Sequence, residues 1–192
     1  MAKTPREVEI KFAIPDLKEI ATLLRRAGFR IKTKRTHELN VLYDLPDGSL
    51  RRKGEILRIR KYGDRWTLTH KARTQGARHK TRVETETDLD DGAALDRIFR
   101  ELGFSESFRY EKFRTEWTDG KGEVVVDETP IGNIGEIEGR PRWIDATAKT
   151  LGIHPEDYNT KSYAELFFDW KRQTGSPAAS MTFAAVGKRK RS

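Results

Sequence analysis

Several short stretches of the chain alternate polar and apolar residues with a period of two. This is the pattern of a β-strand with one polar and one apolar face. Three of these stretches carry pairs of glutamates two residues apart: Glu7 and Glu9, Glu84 and Glu86, and Glu136 and Glu138. Because successive side chains of a strand point to opposite faces, both carboxylates of a pair share one face. The opposite face is apolar in these stretches, with Val8, Ile10, Val83 and Ile137.

Each glutamate pair is followed by a stretch whose apolar residues recur at helical spacing and which ends at a glycine. These stretches predict helices over residues 15–27, 91–102 and 142–151. The first two end alike, in Ala27-Gly28-Phe29 and Leu102-Gly103-Phe104, so the first two units resemble a duplication. A fourth helix is predicted over residues 162–172.

The remaining strands are short and separated by turn residues, which favours antiparallel pairing. They are predicted over residues 37–43, 56–62, 66–71, 110–118 and 123–128. About eight strands with helices indicate an α+β fold. A closed eight-stranded barrel encloses a lumen wide enough for side chains or one small ligand. We therefore predict a closed eight-stranded antiparallel β-barrel, with its charged face inside and its apolar face packed against helices outside.

Basic residues follow the same two-residue rhythm as the glutamates. They are Arg58 with Arg60, Lys112 with Arg114, and single members at Lys11, Lys71 and Arg82. Carboxylates gathered on one surface repel one another unless cations lie between them. A surface dense in both acidic and basic side chains indicates a binding site for a highly charged ligand and its metal ions.

Composition narrows the picture further. The chain has 192 residues and a net charge of +8, of which Lys188–Arg191 supply four charges. We predict one domain over residues 1–173 and a disordered basic tail over residues 174–192. With no cysteine there is no disulfide or thiolate metal site, and the four histidines lack zinc-like spacing. No apolar run approaches the roughly 18 residues of a membrane span, and no signal peptide is visible. We expect a cytoplasmic protein.

The ordered set of these motifs resembles the CYTH superfamily, which groups class IV adenylyl cyclases with thiamine triphosphatases and other triphosphatases. Its N-terminal hallmark, Glu-x-Glu-x-Lys, corresponds here to Glu7, Glu9 and Lys11. The resemblance continues through Leu57–Arg60, Lys71, Arg82–Glu84, Lys112–Arg114, Asp127, Glu136–Glu138 and Lys161–Tyr163. It implies a triphosphate tunnel domain. The segment Lys161–Leu166 is more similar to the class IV adenylyl cyclase branch than to the mammalian thiamine triphosphatases.

The resemblance also implies roles for the charged residues. Hard carboxylate oxygens suit Mg²⁺ or Mn²⁺, and the predicted metal ligands are Glu7, Glu9, Glu136, Glu138 and Asp127. For Asp127 a lysine or the hairpin itself are alternative partners. Guanidinium and ammonium groups suit phosphate oxygens, and the predicted phosphate-binding residues are Arg58, Arg60, Lys71, Arg82, Lys112, Arg114 and Lys161.

Two further assignments concern Lys11 and the second glutamate pair. Lys11 is the predicted general base, with a pKa lowered by neighbouring cations. Glu84 and Glu86 are predicted as supporting residues, and a salt bridge from Glu84 that positions Arg82 is an equal alternative.

The function predicted from these residues is metal-dependent hydrolysis of tripolyphosphate, a nucleoside triphosphate or thiamine triphosphate. A class IV adenylyl cyclase, which makes cyclic AMP and pyrophosphate from ATP, is the alternative enzyme, because both reactions use the same triphosphate-binding residues. A non-catalytic binder of polyphosphate or nucleic acid is the alternative of another class. We expect a triphosphate-bearing small molecule as partner, neither nucleic acid nor membrane, and leave a monomer and a homodimer open.

Overall fold

The computed structural model describes residues 6–73 and 80–187. Its strands are β1 (Arg6–Ala13), β2 (Arg30–Asp44), β3 (Ile56–Tyr62), β4 (Arg65–Arg73), β5 (Lys80–Leu89), β6 (Ser105–Thr118), β7 (Glu123–Thr129) and β8 (Gly132–Glu138). Its helices are α1 (Leu17–Arg26), α2 (Ser49–Lys53), α3 (Gly92–Glu101), α4 (Pro141–Thr150), α5 (Tyr163–Thr174) and α6 (Phe183–Val186), with a 3₁₀ turn at Pro155–Asp157.

All strand pairings are antiparallel, and the strands follow the order β1-β5-β4-β3-β2-β6-β7-β8 around a closed barrel. The ring is joined at β1, which pairs with β8 on one side and with β5 on the other. The two longest strands, β2 and β6, pair with each other along most of their lengths. An eight-stranded antiparallel sheet with helices was predicted from the sequence, and this architecture is confirmed.

Apolar side chains of the strands face outward and pack under the helices. The largest cluster joins Ile10 and Ile137 of the sheet to Leu24 of α1 and Ile144 of α4, and all four side chains are buried. On another side of the barrel, Phe99 of α3 packs on Ile59. Because these outward positions alternate with the charged ones, the polar face of each strand points into the barrel.

Local capping explains where the helices begin. The Asp16 side chain accepts hydrogen bonds from the backbone N–H groups of Lys18 and Glu19, so α1 begins immediately after it. Ser162 and Glu165 form a reciprocal capping box at the start of α5. All four predicted helices are present within two residues of their predicted bounds.

The sequence prediction missed helix α2 and shortened two strands. At α2 only a turn was predicted, because the stabilising contact is not local: the Asp44 carboxylate accepts hydrogen bonds from the backbone N–H groups of Leu50 and Arg51. Strands β2 and β6 begin at Arg30 and Ser105, about five to seven residues earlier than predicted. These extra residues alternate weakly and are held by pairing with the other strand, Arg30 with Thr118 and Ser105 with Asp44.

The predicted tail begins too early. Met181 is completely buried, and its backbone N–H and C=O bond to Arg109 and Glu111 along the edge of β6 that extends past β7. Residues 175–187 are therefore folded onto the barrel, because an apolar side chain and an open strand edge are both covered there. The basic run Lys188–Arg191 lies outside the described residues. Within the described residues, none of the helices is both long and apolar enough to cross a membrane.

Candidate active site in the charged barrel interior

Lys11 lies at the centre of an ionic cluster on the inner face of β1 and β8. Its Nζ is 2.7 Å from Glu9 Oε1 and 3.1 Å from Glu136 Oε1, and Glu136 also accepts a 2.5 Å hydrogen bond from Arg114. Burial alone lowers the pKa of Lys11, but the carboxylates of Glu136 and Glu9 outweigh it and raise that pKa above its ordinary value. The predicted lowering of the Lys11 pKa is therefore wrong, because carboxylates, not cations, surround its ammonium, whereas its role as a base stays a prediction.

Asp127 is held by three donor residues, two on β6 and one at the start of α5. Its carboxylate is fully buried and accepts hydrogen bonds from Lys112 Nζ at 2.8 Å and from Arg114 Nε and Nη2 at 2.8 and 2.7 Å. The hydroxyl of Tyr163, at the start of α5, also donates to it. Of the predicted alternatives for Asp127, the structure favours the lysine partner over the metal, because flanking cations repel a metal ion.

Glu38 is a central residue that sequence reasoning missed. Its buried carboxylate lies 2.6 Å from Arg60 Nη2, 3.6 Å from Lys112 Nζ and 3.7 Å from Arg114 Nε. Burial raises the pKa of Glu38, but Lys112, Arg114 and Arg60 outweigh it and hold that pKa well below its usual value. Glu38 has no second glutamate two residues away, so the paired pattern did not reveal it; its alternation with Asn40 was the available signal.

The opposite wall of the barrel is formed by β3, β4 and β5. Arg58 donates to Thr69, which donates to Glu86, at 3.1 and 2.8 Å. Lys71 Nζ is 2.9 Å from Glu84. Glu84 thus has a salt-bridge partner that was not predicted, and the predicted alternative with Arg82 involves a side chain outside the described residues. The backbones of Glu7 and Arg82 are paired with each other in β1 and β5, but the side chains of these two predicted site residues lie outside the described residues.

Several buried polar atoms on the wall formed by β2, β3 and β4 have no hydrogen-bond partner among the described residues. They are Asn40 Oδ1, Arg58 Nε, Arg60 Nε, Tyr62 OH and Thr67 Oγ1. Unsatisfied buried polar groups are rare and costly in proteins. With the exception of the Asn40 oxygen, these atoms can all donate hydrogen bonds. The wall therefore presents unused donors to the lumen.

The predicted carboxylates come together only in part. Glu9 and Glu138 are directly opposite each other on β1 and β8, and Glu138 is in turn opposite Glu123 on β7. Strand alternation puts all three on the inner face. Glu123 is paired with Lys32. Across residues 6–73 and 80–187, no group of three histidine or carboxylate side chains is already arranged to hold a metal ion.

Lys161 is the one predicted phosphate-binding side chain among the described residues that the structure places away from the interior. Its Nζ is 2.6 Å from Asp169, and its side chain is 52 % exposed. In the predicted motif Lys161–Tyr163, the residue that reaches the barrel interior is Tyr163. Its ring stacks on Tyr110 at 5.4 Å and lies 4.2 Å below the ammonium of Lys112. Together with Phe167 of α5, these rings pack against one end of the lumen.

Comparison with known proteins agrees with this architecture. Residues 5–152 match the profile of the CYTH domain. The chain therefore belongs to the CYTH domain family. A protein of Methanocaldococcus jannaschii named "Putative adenylate cyclase MJ0240" is 29% identical over 171 residues, which cover 83% of this chain and 97% of that protein.

The solved structures that share this fold include the following two. A conserved hypothetical protein of Pyrococcus furiosus is 25% identical, with a TM-score of 0.72 over 83% of this chain and 99% of its own. The Hippeastrum protein HpAC1, for which a dominant triphosphatase activity is described, is 21% identical, with a TM-score of 0.61 over 85% of this chain and 95% of its own. Proteins of this fold thus include ones named for cyclisation and for hydrolysis.

Proposed function

We propose that the protein is a divalent-metal-dependent triphosphatase that acts on tripolyphosphate, a nucleoside triphosphate or thiamine triphosphate. The observation that carries the proposal is the pair of guanidinium groups of Arg58 and Arg60. Both side chains are largely buried in the lumen, and the Nε–H of each has no acceptor among the described residues. Phosphate oxygens are the acceptors that guanidinium groups bind best, two at a time.

The charge balance of the lumen supports a requirement for metal ions. The described lining carries the cations Lys11, Arg58, Arg60, Lys71, Lys112 and Arg114. It carries the carboxylates Glu9, Glu38, Glu84, Glu86, Asp127, Glu136 and Glu138. Since the carboxylates are at least as numerous as the cations, the described lining gives a bare polyanion no net attraction. A triphosphate would bind far better together with divalent cations.

The residues present fit such an ion. Glu9 and Glu138 are directly opposite each other on the paired strands β1 and β8, so both carboxylates lie on the inner face of the barrel. Their oxygens are hard donors that suit Mg²⁺ or Mn²⁺. We propose these two residues as metal ligands, with Glu7 as a third. The predicted ligand Glu136 is left out, because Lys11 and Arg114 flank its carboxylate as cations flank that of Asp127. A bound metal would neutralise charge on the phosphates and activate a water molecule.

The protein's own side chains then position the phosphate chain. Lys11, held charged by Glu9 and Glu136, would donate hydrogen bonds to phosphate oxygens. Arg58 and Arg60 would bind oxygens on the opposite wall. Glu38 and Asp127 would fix the cations Lys112 and Arg114 in place before substrate arrives. Phosphoryl transfer depends mostly on such positioning and charge neutralisation.

A class IV adenylyl cyclase is the second candidate, supported by the name of the Methanocaldococcus jannaschii relative. Hydrolysis is preferred here because of the activity described for HpAC1. Incubation of the pure protein with Mg²⁺ or Mn²⁺ and tripolyphosphate, ATP or thiamine triphosphate, with the products resolved by chromatography, separates the candidates. Orthophosphate supports the hydrolase, whereas cyclic AMP with pyrophosphate identifies a cyclase. Binding without turnover identifies a non-catalytic polyphosphate binder.

The metal assignment is tested by Glu9→Gln. We expect it to lower turnover by at least about a hundredfold, because it removes a proposed metal ligand and a partner of Lys11. Glu101→Gln, an exposed position on the outer helix α3, is the matched control and should leave turnover unchanged. Near-normal turnover of the Glu9 variant would contradict the proposed site.

A further inference from the structure

Two hydroxyl groups lie next to the proposed phosphate-binding arginines. Thr67 is directly opposite Arg60 on the neighbouring strand β4, and Tyr62 follows Arg60 by two residues on the same face of β3. The guanidinium of Arg60 lies 4.6 Å from the centre of the Tyr62 ring. Neither residue belongs to the motifs from which the charged site was predicted.

Both hydroxyls are buried, and neither contacts a hydrogen-bond partner in the part of the chain that the structure describes. Thr67 itself is 7% exposed. Other hydroxyls in buried regions of the protein are engaged: Thr69 with Glu86, and Tyr43 with Asp96. A buried hydroxyl without a partner lowers the stability of the protein that contains it. A ligand that supplies the partner is a physical reason for such a group to be kept.

The chemistry around the two hydroxyls indicates what that ligand is. The other unpartnered atoms in the same wall include Arg58 Nε and Arg60 Nε, which can only donate. Burial, aided by the charge of Glu116, raises the pKa of Tyr62 to about 12, so its hydroxyl keeps its proton at neutral pH and can donate as well. A phosphate chain is rich in acceptor oxygens and can therefore supply partners for these donors.

We propose that Thr67 and Tyr62 are substrate-binding residues whose hydroxyls donate hydrogen bonds to phosphate oxygens beside Arg60. They extend the site along β3 and β4 beyond the charged residues. This inference rests on the proposed function, since it places the phosphate chain in the same lumen. The unpartnered Asn40 Oδ1 is an acceptor, so it is not part of this set and would bind a water molecule or a ligand hydroxyl instead.

The proposal predicts weaker binding of the substrate without a loss of stability, a combination that a purely structural role would not produce. The variants Thr67→Val and Tyr62→Phe remove only the hydroxyls and keep nearly the same shape. Because these hydroxyls form no hydrogen bond with the described residues, their removal should leave the thermal unfolding midpoint unchanged or raise it. Each variant should nevertheless weaken binding of a non-hydrolysable imido analogue of tripolyphosphate with Mg²⁺, by about three- to tenfold for a lost hydrogen bond.

Calorimetric titration measures this binding, and kinetics with the cleavable chain should give a raised KM with little change in kcat. Tyr43→Phe is the matched control for Tyr62, because its hydroxyl is engaged with Asp96 on the outer face. It should lower the unfolding midpoint and leave binding unchanged. Thr85→Val, at an exposed position of β5, is the control for Thr67 and should change neither quantity.

Two results would overturn the inference while leaving the proposed function intact. One is unchanged binding of the analogue by both variants. The other is an unfolding midpoint lowered as in Tyr43→Phe, which would show that the hydroxyls are engaged within the protein. If the unaltered protein fails to bind the analogue at all, the proposed function itself fails and this inference fails with it.

Discussion

The substitution Asp127→Asn tests how the buried ionic cluster supports the fold. The Asp127 carboxylate accepts three hydrogen bonds from Lys112 and Arg114 at 2.7 to 2.8 Å, and a fourth from Tyr163. The asparagine side chain keeps the shape but removes the negative charge. Lys112, which is 1% exposed, then keeps Glu38, at 3.6 Å, as its remaining salt-bridge partner among the described residues.

The expected magnitude follows from this burial. Breaking a buried ion pair by removing one partner costs about 3–5 kcal/mol, because the remaining charge stays in a poorly solvated place. For a chain of this size, 1 kcal/mol corresponds to roughly 2–4 °C in the unfolding midpoint. We therefore expect Asp127→Asn to lower the midpoint by about 6–20 °C.

Urea denaturation measures the free energy of unfolding directly, and an unchanged dependence on urea concentration would show that only stability has changed. The matched control is Asp169→Asn, which removes a carboxylate with two basic partners, Lys161 and Arg172, on the protein surface. Its effect should be far smaller, because water solvates the charges that are left. Equal stability of the two variants would refute the reasoning that the buried Asp127 carboxylate stabilises the fold through Lys112 and Arg114.

Two further predictions concern the chain end and pH. Deletion of residues 188–192 should leave the unfolding midpoint, measured by calorimetry, unchanged. Deletion of residues 176–192 should lower it, because this removes the buried Met181 from the edge of β6. Equal midpoints for both truncations would contradict the folded role of residues 175–187. The pKa of Glu38 is lower in the folded protein than its ordinary value of 4.5. Its stabilising contribution is therefore full above pH 4.5 and is lost as the pH falls through the folded pKa, so Glu38→Gln should flatten the acid limb of a midpoint-against-pH curve.

The strand residues of the site were predictable because alternation directly encodes the face of a sheet. Glu9, Lys112, Arg114 and Glu136 all point inward, as their spacing indicated. Alternation does not encode which charges become neighbours across strands. This is why the pKa of Lys11 was predicted in the wrong direction, since the carboxylate that contributes most to it, Glu136, lies on a strand more than a hundred residues away.

Residues from helices were harder to place. The motif Lys161-Ser162-Tyr163 was noticed, but Lys161 was chosen for its charge. The capping of α5 by Ser162 turns Lys161 toward Asp169 and sends Tyr163 into the lumen. That orientation depends on how the helix docks on the barrel, which a local pattern does not contain. Glu38 was missed for a related reason, because its partners Arg60, Lys112 and Arg114 lie on two other strands.

The double pairing of β1 has a consequence for biosynthesis. Strand β1 is made more than a hundred residues before β8, so it must wait for β8 before its second edge is covered. Pairings between such distant segments form slowly, because the intervening chain must first lose its freedom. Until then the nascent chain exposes an unprotected strand edge, which makes this interval the period in which a chaperone would be of most use.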